Sequence, residues 1–140
     1  EILDEYKATS VDLDTLLKES DFISVHAPLT EESRHMLSTE QFKKMKNSAF
    51  VINTSRGALI DEEALIKALE DGEIAGAGLD VFEKEPIDVD SKLRFMDNVV
   101  LTSHIAFNTA EAMIDLHKEV TADIVRVLNG ERPVNVVNGL

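Results

Sequence analysis

The sequence has no cysteine, no run approaching ~18 apolar residues and no leader pattern of basic then apolar residues. The first absence excludes a disulfide-stapled secreted fold, the second a membrane-spanning helix of ordinary length, and the third a secretory signal. A reducing cytoplasm is the expected compartment. Basic residues are scarce: 14 Lys and Arg stand against 27 Asp and Glu, a formal net charge of −13. The excess is spread through mixed Asp/Glu/Lys stretches, which suits a solvated surface and opposes polyanions, so nucleic acid and membrane surfaces are not expected partners. Repeats and low-complexity tracts are also missing. At 140 residues, 44% of them hydrophobic, the chain can bury one core but not two. It opens on Glu1 and not Met, and Glu1–Lys7 has no helix-start or strand signal, which reads as a chain beginning mid-protein.

What is present is a rhythm of short apolar strands and amphipathic helices, the pattern of βαβ units around a parallel sheet. Ser10 and Asp12 are candidate caps for a helix with Leu13, Leu16 and Leu17 on one face, followed by a strand over Phe22–Ala27. Ser38 and Gln41 have capping-box spacing ahead of Phe42 and Met45, and a second strand runs over Ala49–Asn53. Asp61 caps a helix that turns Ala64, Leu65, Ala68 and Leu69 inward and ends at a left-handed Gly72. Ile74–Phe82 is a third strand, with Gly76 and Gly78 allowing close helix-on-sheet approach, and Asn98–Thr102 is a fourth. A long helix opened by Asn108 and Glu111 carries an apolar stripe from Met113 to Leu128, expected to serve core or interdomain packing, and stops at Gly130 and Pro133.

The polar residues capable of chemistry follow the strands. His26 and Pro28 come after the first, Asn53-Thr54-Ser55-Arg56-Gly57 after the second, Asp80 and Glu85 after the third, and His104 after the fourth. In a parallel sheet these four places share one edge, and open α/β sheets bind ligands at the carboxyl ends of their strands. That edge is therefore the expected site. By context His26 either touches a ligand or only ends a strand, whereas His35 and His117 read as surface residues. Glu83 and Glu85 sit in one charged run and compete for the same role.

Four stretches, DFISVHAPLTEESRHML, AFVINTSRGALIDEEALIKAL, GAGLDVFEKEP and NVVLTSHIA, occur in an order and spacing that resembles the D-isomer-specific 2-hydroxyacid dehydrogenases. The likeness covers nearly the whole chain. It implies an α/β, Rossmann-like parallel sheet with flanking helices, in which residues 1–140 are the C-terminal part of an NAD(P)-binding domain ending in a long helix. The first strands, the glycine-rich turn GxGxxG, the acidic residue that holds the adenine ribose, and the substrate domain are absent from these residues. The implied activity is an oxidoreductase that moves a hydride between NAD, with NADP left open, and a D-2-hydroxy acid or 2-oxo acid. The 140 residues alone are expected to be inactive. The alternative is a dinucleotide-sensing, corepressor-like module of the same fold without turnover.

By that resemblance Arg56, Glu85 and His104 match the catalytic trio, Glu85 being selected over Glu83 as the fifth position after Asp80. Ala27, Pro28, Ser33, Thr54, Ser55, Arg56 and Asp80 match cofactor contacts, and no metal is implied. The roles have physical reasons. A planar guanidinium grips a carboxylate through two parallel hydrogen bonds. An imidazole gives and takes a proton near neutrality, and a carboxylate on its other nitrogen fixes the tautomer and favours imidazolium. Gly57 is expected to permit a sharp turn beside Arg56, and Asp80 to receive the nicotinamide carboxamide N–H. Glutamine replaces this glutamate in the formate dehydrogenases of the family, so Glu85 argues against that branch. Ser103 stands where many members have proline. A receiver-like phospho-acceptor role for Asp80 fails because the first strand is not followed by a metal-binding acidic cluster. In a 3-2-1-4-5-6 sheet, Phe22–Ala27 would be the fourth strand with its inner edge bare, which predicts a homodimer or other self-association and poor dinucleotide binding by the 140 residues alone.

Overall fold

The computed structural model describes residues 5–137 and forms two compact units, one reaching to His104 and one starting at Ile105. The expectation for Glu1–Lys7 falls partly on residues outside that range. In the first unit α1 (Leu13–Glu19), β1 (Phe22–Val25), α2 (Thr39–Phe42), β2 (Phe50–Asn53), α3 (Glu62–Glu70), β3 (Gly76–Leu79) and β4 (Val99–Leu101) follow one another, with 3₁₀ turns at Gly57–Leu59 and Lys92–Phe95. The four strands are all parallel in the order β1-β2-β3-β4, with Phe22 opposite Phe50, Phe50 opposite Gly76, and Ala77 opposite Val99. The expected α/β parallel sheet with flanking helices is thus present. Each strand is shorter than the apolar run that announced it: β1 loses residues at its carboxyl end, β2 at its amino end, and β3 and β4 at both.

Burial alternates along the strands. Ile23, Val25, Val51, Ala77 and Leu79 join Leu17 of α1, Phe42 of α2 and Leu65, Ala68 and Leu69 of α3 in one apolar cluster. The helices of this unit therefore cover one face of the sheet. On the other face Phe22 and Phe50 stack at 5.6 Å between ring centroids, and Phe22 and Val100 are exposed. Fully buried parallel strands read as continuous apolar runs, and half-covered ones keep a period of two. The single polar position in β2, Asn53, is buried with the cluster.

The local signals hold with corrections. Asp12 alone caps α1, accepting from the Thr15 N–H at 2.8 Å, and of the three leucines read as one inward face only Leu17 is buried. Gln41 accepts from the Ser38 N–H at 3.2 Å, while the Ser38 hydroxyl donates to Asp61 at 2.8 Å. Asp61 caps α3 through the Ala64 N–H, and Gly72 closes it at φ +69°. Gly76 is needed for close approach, as expected, but what approaches is the Asn98 carbonyl oxygen, 2.5 Å from where a Cβ would sit, with the Phe50 ring beside it. Gly78 has only ordinary contact space around it.

In the second unit α4 (Ala110–Leu128) is capped by Thr109, whose side chain accepts from the Ala112 N–H, and not by Asn108. Gly130 ends the helix at φ +77°. The tail then folds back on Asp123, which accepts from the Val134 and Asn135 N–H groups at 2.9 and 3.0 Å and pairs with Arg126 at 2.7 Å. Those donors hold the Asp123 carboxyl down at about 2. No residue of α4 is buried. No helix among the described residues is long and apolar enough to cross a membrane.

Candidate active site

The carboxyl edge of the sheet is organised by turns whose backbone is held from below. After β2 the chain leaves the sheet and enters the turn at Gly57–Leu59, and the buried Asn53 side chain holds the residues between. Its Oδ1 accepts the Ser55 N–H at 3.0 Å and its Nδ2 donates to the Arg56 carbonyl at 2.9 Å. An amide has both a donor and an acceptor end, and both are used here, as burial requires. The Ser55 hydroxyl donates to the Val25 carbonyl at 2.7 Å, tying the β2 turn to the end of β1. Arg56 is exposed and donates to the Ser55 carbonyl at 2.6 Å.

Gly57 has a different reason from the one expected. Its φ is not left-handed, and a Cβ there would lie 1.9 Å from the Phe82 carbonyl carbon and 2.4 Å from the Glu83 nitrogen. Glycine thus lets the segment after Arg56 press against the segment leading to Glu85. The chain after β1 is joined to the same region: His35 N–H donates to Ala58 O at 2.8 Å and Leu37 N–H to Leu59 O at 3.2 Å. Within that chain the Ser33 hydroxyl donates to the Pro28 carbonyl at 2.7 Å and accepts from the Thr30 N–H at 2.8 Å, closing the Pro28–Ser33 turn.

On the far side, His104 Nδ1 lies 2.8 Å from Glu85 Oε2, while Glu85 Oε1 accepts the Phe82 N–H at 3.1 Å. The hydrogen bond from His104 holds the Glu85 carboxyl below its ordinary value. Glu83, the competing glutamate, faces elsewhere: its Oε1 accepts the Glu62 N–H at 2.9 Å, and its Oε2 lies 3.1 Å from His35 Nε2. His35 is therefore half-buried against Glu83 and not a plain surface residue. Burial, aided by the nearby Glu83 charge, raises the Glu62 carboxyl. His104 has a left-handed φ of +57°, and its N–H donates to the Asp80 carbonyl at 2.9 Å. Asp80 is buried at 3% exposure, with the Thr102 hydroxyl on its Oδ1.

Two open clefts meet at this edge and share Leu29 and Arg56. One, of about 620 Å³, is lined by His26, Ala27, Pro28, Thr54, Ser55 and Arg56. The other, of about 320 Å³, is lined by Arg34, Arg56, Gly57, Glu85 and His104 among others. Arg56, Glu85 and His104 thus gather on one cleft, and Ala27, Pro28, Thr54 and Ser55 on its neighbour. Ser33 turns its hydroxyl into its own loop, and Asp80 lines neither cleft. His26 bonds Ser24 at 2.8 Å and also faces the larger cleft. Two residues were passed over in the sequence: Thr102, which acts through its neighbour Asp80, and Arg34, a second guanidinium on the smaller cleft; Asn53 was named at the strand end without a role, and it acts through its neighbours. Among the described residues no cluster of His, Cys, Asp and Glu could hold a metal.

Residues 1–106 match the family model described as D-isomer specific 2-hydroxyacid dehydrogenase, NAD binding domain. The chain is 50% identical to a glyoxylate reductase of Thermofilum pendens over 91% of its own length and 38% of that protein's. It is 51% identical to a probable 2-ketogluconate reductase of Dictyostelium discoideum, covering 95% of itself and 40% of that protein. The crystal structure of D-lactate dehydrogenase with NAD+ from Lactobacillus jensenii superposes with a TM-score of 0.86 at 40% identity, over 96% of this chain and 44% of that one. The chain therefore spans about two fifths of the length of the curated relatives it matches.

Proposed function

The chain belongs to the D-isomer specific 2-hydroxyacid dehydrogenases as their NAD-binding domain, and from that premise we propose that it forms the cofactor half of an enzyme that interconverts a 2-oxo acid and a D-2-hydroxy acid. The observation that carries this reading is the 2.8 Å contact between Glu85 and His104 on the same cleft as Arg56. Reduction of a 2-oxo acid needs a cation for the carboxylate, a proton for the oxygen that becomes hydroxyl, and exclusion of wrong geometries. Arg56 supplies the cation, with a fork suited to a carboxylate and the adjoining carbonyl oxygen. His104 supplies the proton through Nε2, because Nδ1 is engaged by Glu85. Glu85 keeps the ring in that tautomer and orientation.

The donor set of the larger cleft fits a dinucleotide: small or apolar Ala27 and Pro28 for flat contact, and Thr54 and Ser55 as short polar groups at the strand ends. Asp80 offers an acceptor to a carboxamide N–H. When bound, the nicotinamide supplies the hydride. NAD is the expected cofactor, and NADP is tested beside it. The outer edge of β1, which pairs with no strand among the described residues, and the exposed Phe22 and Phe50 beside it support self-association of two copies into one sheet. Light scattering on Phe22→Lys beside the unmodified protein tests this, a monomer in both cases refuting it.

The deciding experiment measures oxidation of NADH and of NADPH by the complete protein against a panel of 2-oxo acids. Turnover of at least one 2-oxo acid, abolished by His104→Ala, is the expected result. Tight NADH binding without any turnover would favour the dinucleotide-sensing module instead.

A further inference from the structure

The basic side chains of this acidic chain are mostly answered by acids. Each lysine from Lys18 to Lys118 lies against a carboxylate, and Arg126 pairs with Asp123. Arg34, Arg56 and Arg94 have no carboxylate partner among the described residues, and each of them lines a cavity that also holds Glu85 and His104. Acids outnumber bases in the sequence by 27 to 14, so a shortage of carboxylates does not account for this.

Arg34 and Arg56 share the smaller cleft, and the chain stitches their segments together. The Arg34 N–H donates to the Thr30 carbonyl at 3.0 Å, and the next residue, His35, donates its N–H to the carbonyl of Ala58, two residues past Arg56, at 2.8 Å. The Arg56 guanidinium donates to the adjoining Ser55 carbonyl, and Arg34 makes no side-chain hydrogen bond among the described residues. The two carboxylates of the cleft are, by contrast, occupied. Glu83 accepts the Glu62 N–H and lies against His35, and Glu85 accepts the Phe82 N–H and lies against His104. Beside His104, the cleft therefore offers an incoming ligand two guanidiniums. Its volume of about 320 Å³ is near the small end of ligand pockets, so a molecule held by Arg56 and His104 has its far end within reach of a side chain as long as that of Arg34. Arg94 belongs to the other cavity, whose lining includes the apolar Phe82, Pro86, Ile87 and Leu101.

A guanidinium fork matches one carboxylate through two parallel hydrogen bonds. One carboxylate satisfies Arg56, and the second fork calls for a second. We propose that the substrate is a 2-oxo dicarboxylate, its 2-oxo acid end held by Arg56 and its terminal carboxylate by Arg34. This rests on the dehydrogenase reading for the 2-oxo acid end. A monocarboxylate of the same length would set a methyl group against the Arg34 cation and gain nothing from it.

The test compares 2-oxo acids of equal length on the complete protein with NADH: 2-oxoglutarate against 2-oxopentanoate, and oxaloacetate against 2-oxobutanoate, each pair exchanging a carboxylate for a methyl group. The expected result is a kcat/KM at least about tenfold higher for the dicarboxylate of one pair, the scale of a hydrogen bond to a charged group. Arg34→Gln brings that ratio to within about twofold of unity, Arg34→Lys keeps part of it, and NADH affinity is nearly unchanged in both. Raising the ionic strength lowers the ratio in the unmodified protein, because the cleft is open and its charges are screened. Turnover without such a ratio, a ratio that survives Arg34→Gln, or one lost on Arg94→Gln instead overturns the proposal and leaves the dehydrogenase reading standing. If no 2-oxo acid is turned over, that reading fails, and calorimetry on the NAD+-loaded protein decides the site. Tighter binding of 2-oxoglutarate than of 2-oxopentanoate, with the difference lost in Arg34→Gln, upholds Arg34 as the anchor of the second carboxylate; equal or absent binding of the two refutes it. Should Arg34→Gln fail to fold, Arg34→Lys and the ionic-strength series carry the same comparison.

Discussion

Replacing Gly57 by alanine separates two segments that the site needs in contact. The added Cβ would lie 1.9 Å from the Phe82 carbonyl carbon and 2.0 Å from its oxygen, where ordinary contact begins near 3.4 Å. The obstacle is backbone, so no side-chain rotation relieves it, and the two segments must part by about 1.5 Å. Overpacking of this kind costs about 1–3 kcal/mol, and with main chain on the opposing side the upper end applies. At about 2–4 °C per kcal/mol for a chain of ~150–250 residues, Tm falls by roughly 6–12 °C. Activity suffers more than stability. Arg56 precedes Gly57, and Phe82–Glu83 leads directly to Glu85, so the parting moves Arg56 away from the Glu85–His104 pair. A misplacement of about 1 Å costs on the order of 100-fold, and kcat/KM of the complete enzyme is expected to drop by at least that much. Differential scanning calorimetry and steady-state kinetics measure both effects. Gly78→Ala is the control, because its Cβ meets only the Ile52 side chain at 3.9 Å and removes chain entropy from the unfolded state. If the two alanine variants melt together and keep equal activity, the close approach at Gly57 is not what constrains this site.

The same geometry sets three other outcomes. Glu85→Gln removes the carboxylate that holds the His104 ring through Nδ1, lowering kcat for 2-oxo acid reduction on the order of 100-fold, and an unchanged kcat would refute the pairing. The sign for stability is also set: the folded Glu85 carboxyl lies below its ordinary 4.5, so its contribution is fully present above that value and is lost as pH falls through the lower folded one. Glu85→Gln therefore flattens the acid limb of Tm against pH, modestly, because the group is partly exposed. Arg56→Lys keeps the charge and loses the fork, lowering kcat/KM by roughly 10- to 1000-fold with NADH affinity nearly unchanged; equal damage to both would make Arg56 a cofactor or structural residue. Asp61→Ala removes the acceptor of the Ala64 N–H and of the Ser38 hydroxyl. It should cost about 1–2 kcal/mol in urea unfolding, and a loss within error would show that α3 needs no cap.

Element type and order were legible from residues alone, because each depends on neighbours in sequence. Asp12 and Asp61 each cap the helix directly after them, Gly72 and Gly130 end helices, and apolar periodicity separates strands from helices. The shared carboxyl edge was legible for the same reason, since parallel βαβ units leave it no other place. The trio Arg56, Glu85 and His104 came from a family likeness, and their meeting on one cleft is a tertiary fact. So is the separation of Glu85 from Glu83. Two glutamates two residues apart are interchangeable in composition, and only the path of the chain turns one toward His104 and the other toward His35. Gly57, Asn53 and Thr102 show the same limit. The partners of Gly57 and Thr102 lie more than twenty residues away, and Asn53 matters because it is buried, a property that no spacing encodes. What local chemistry sets can be read along the chain, whereas contacts between distant segments exist only once the sheet has brought them together.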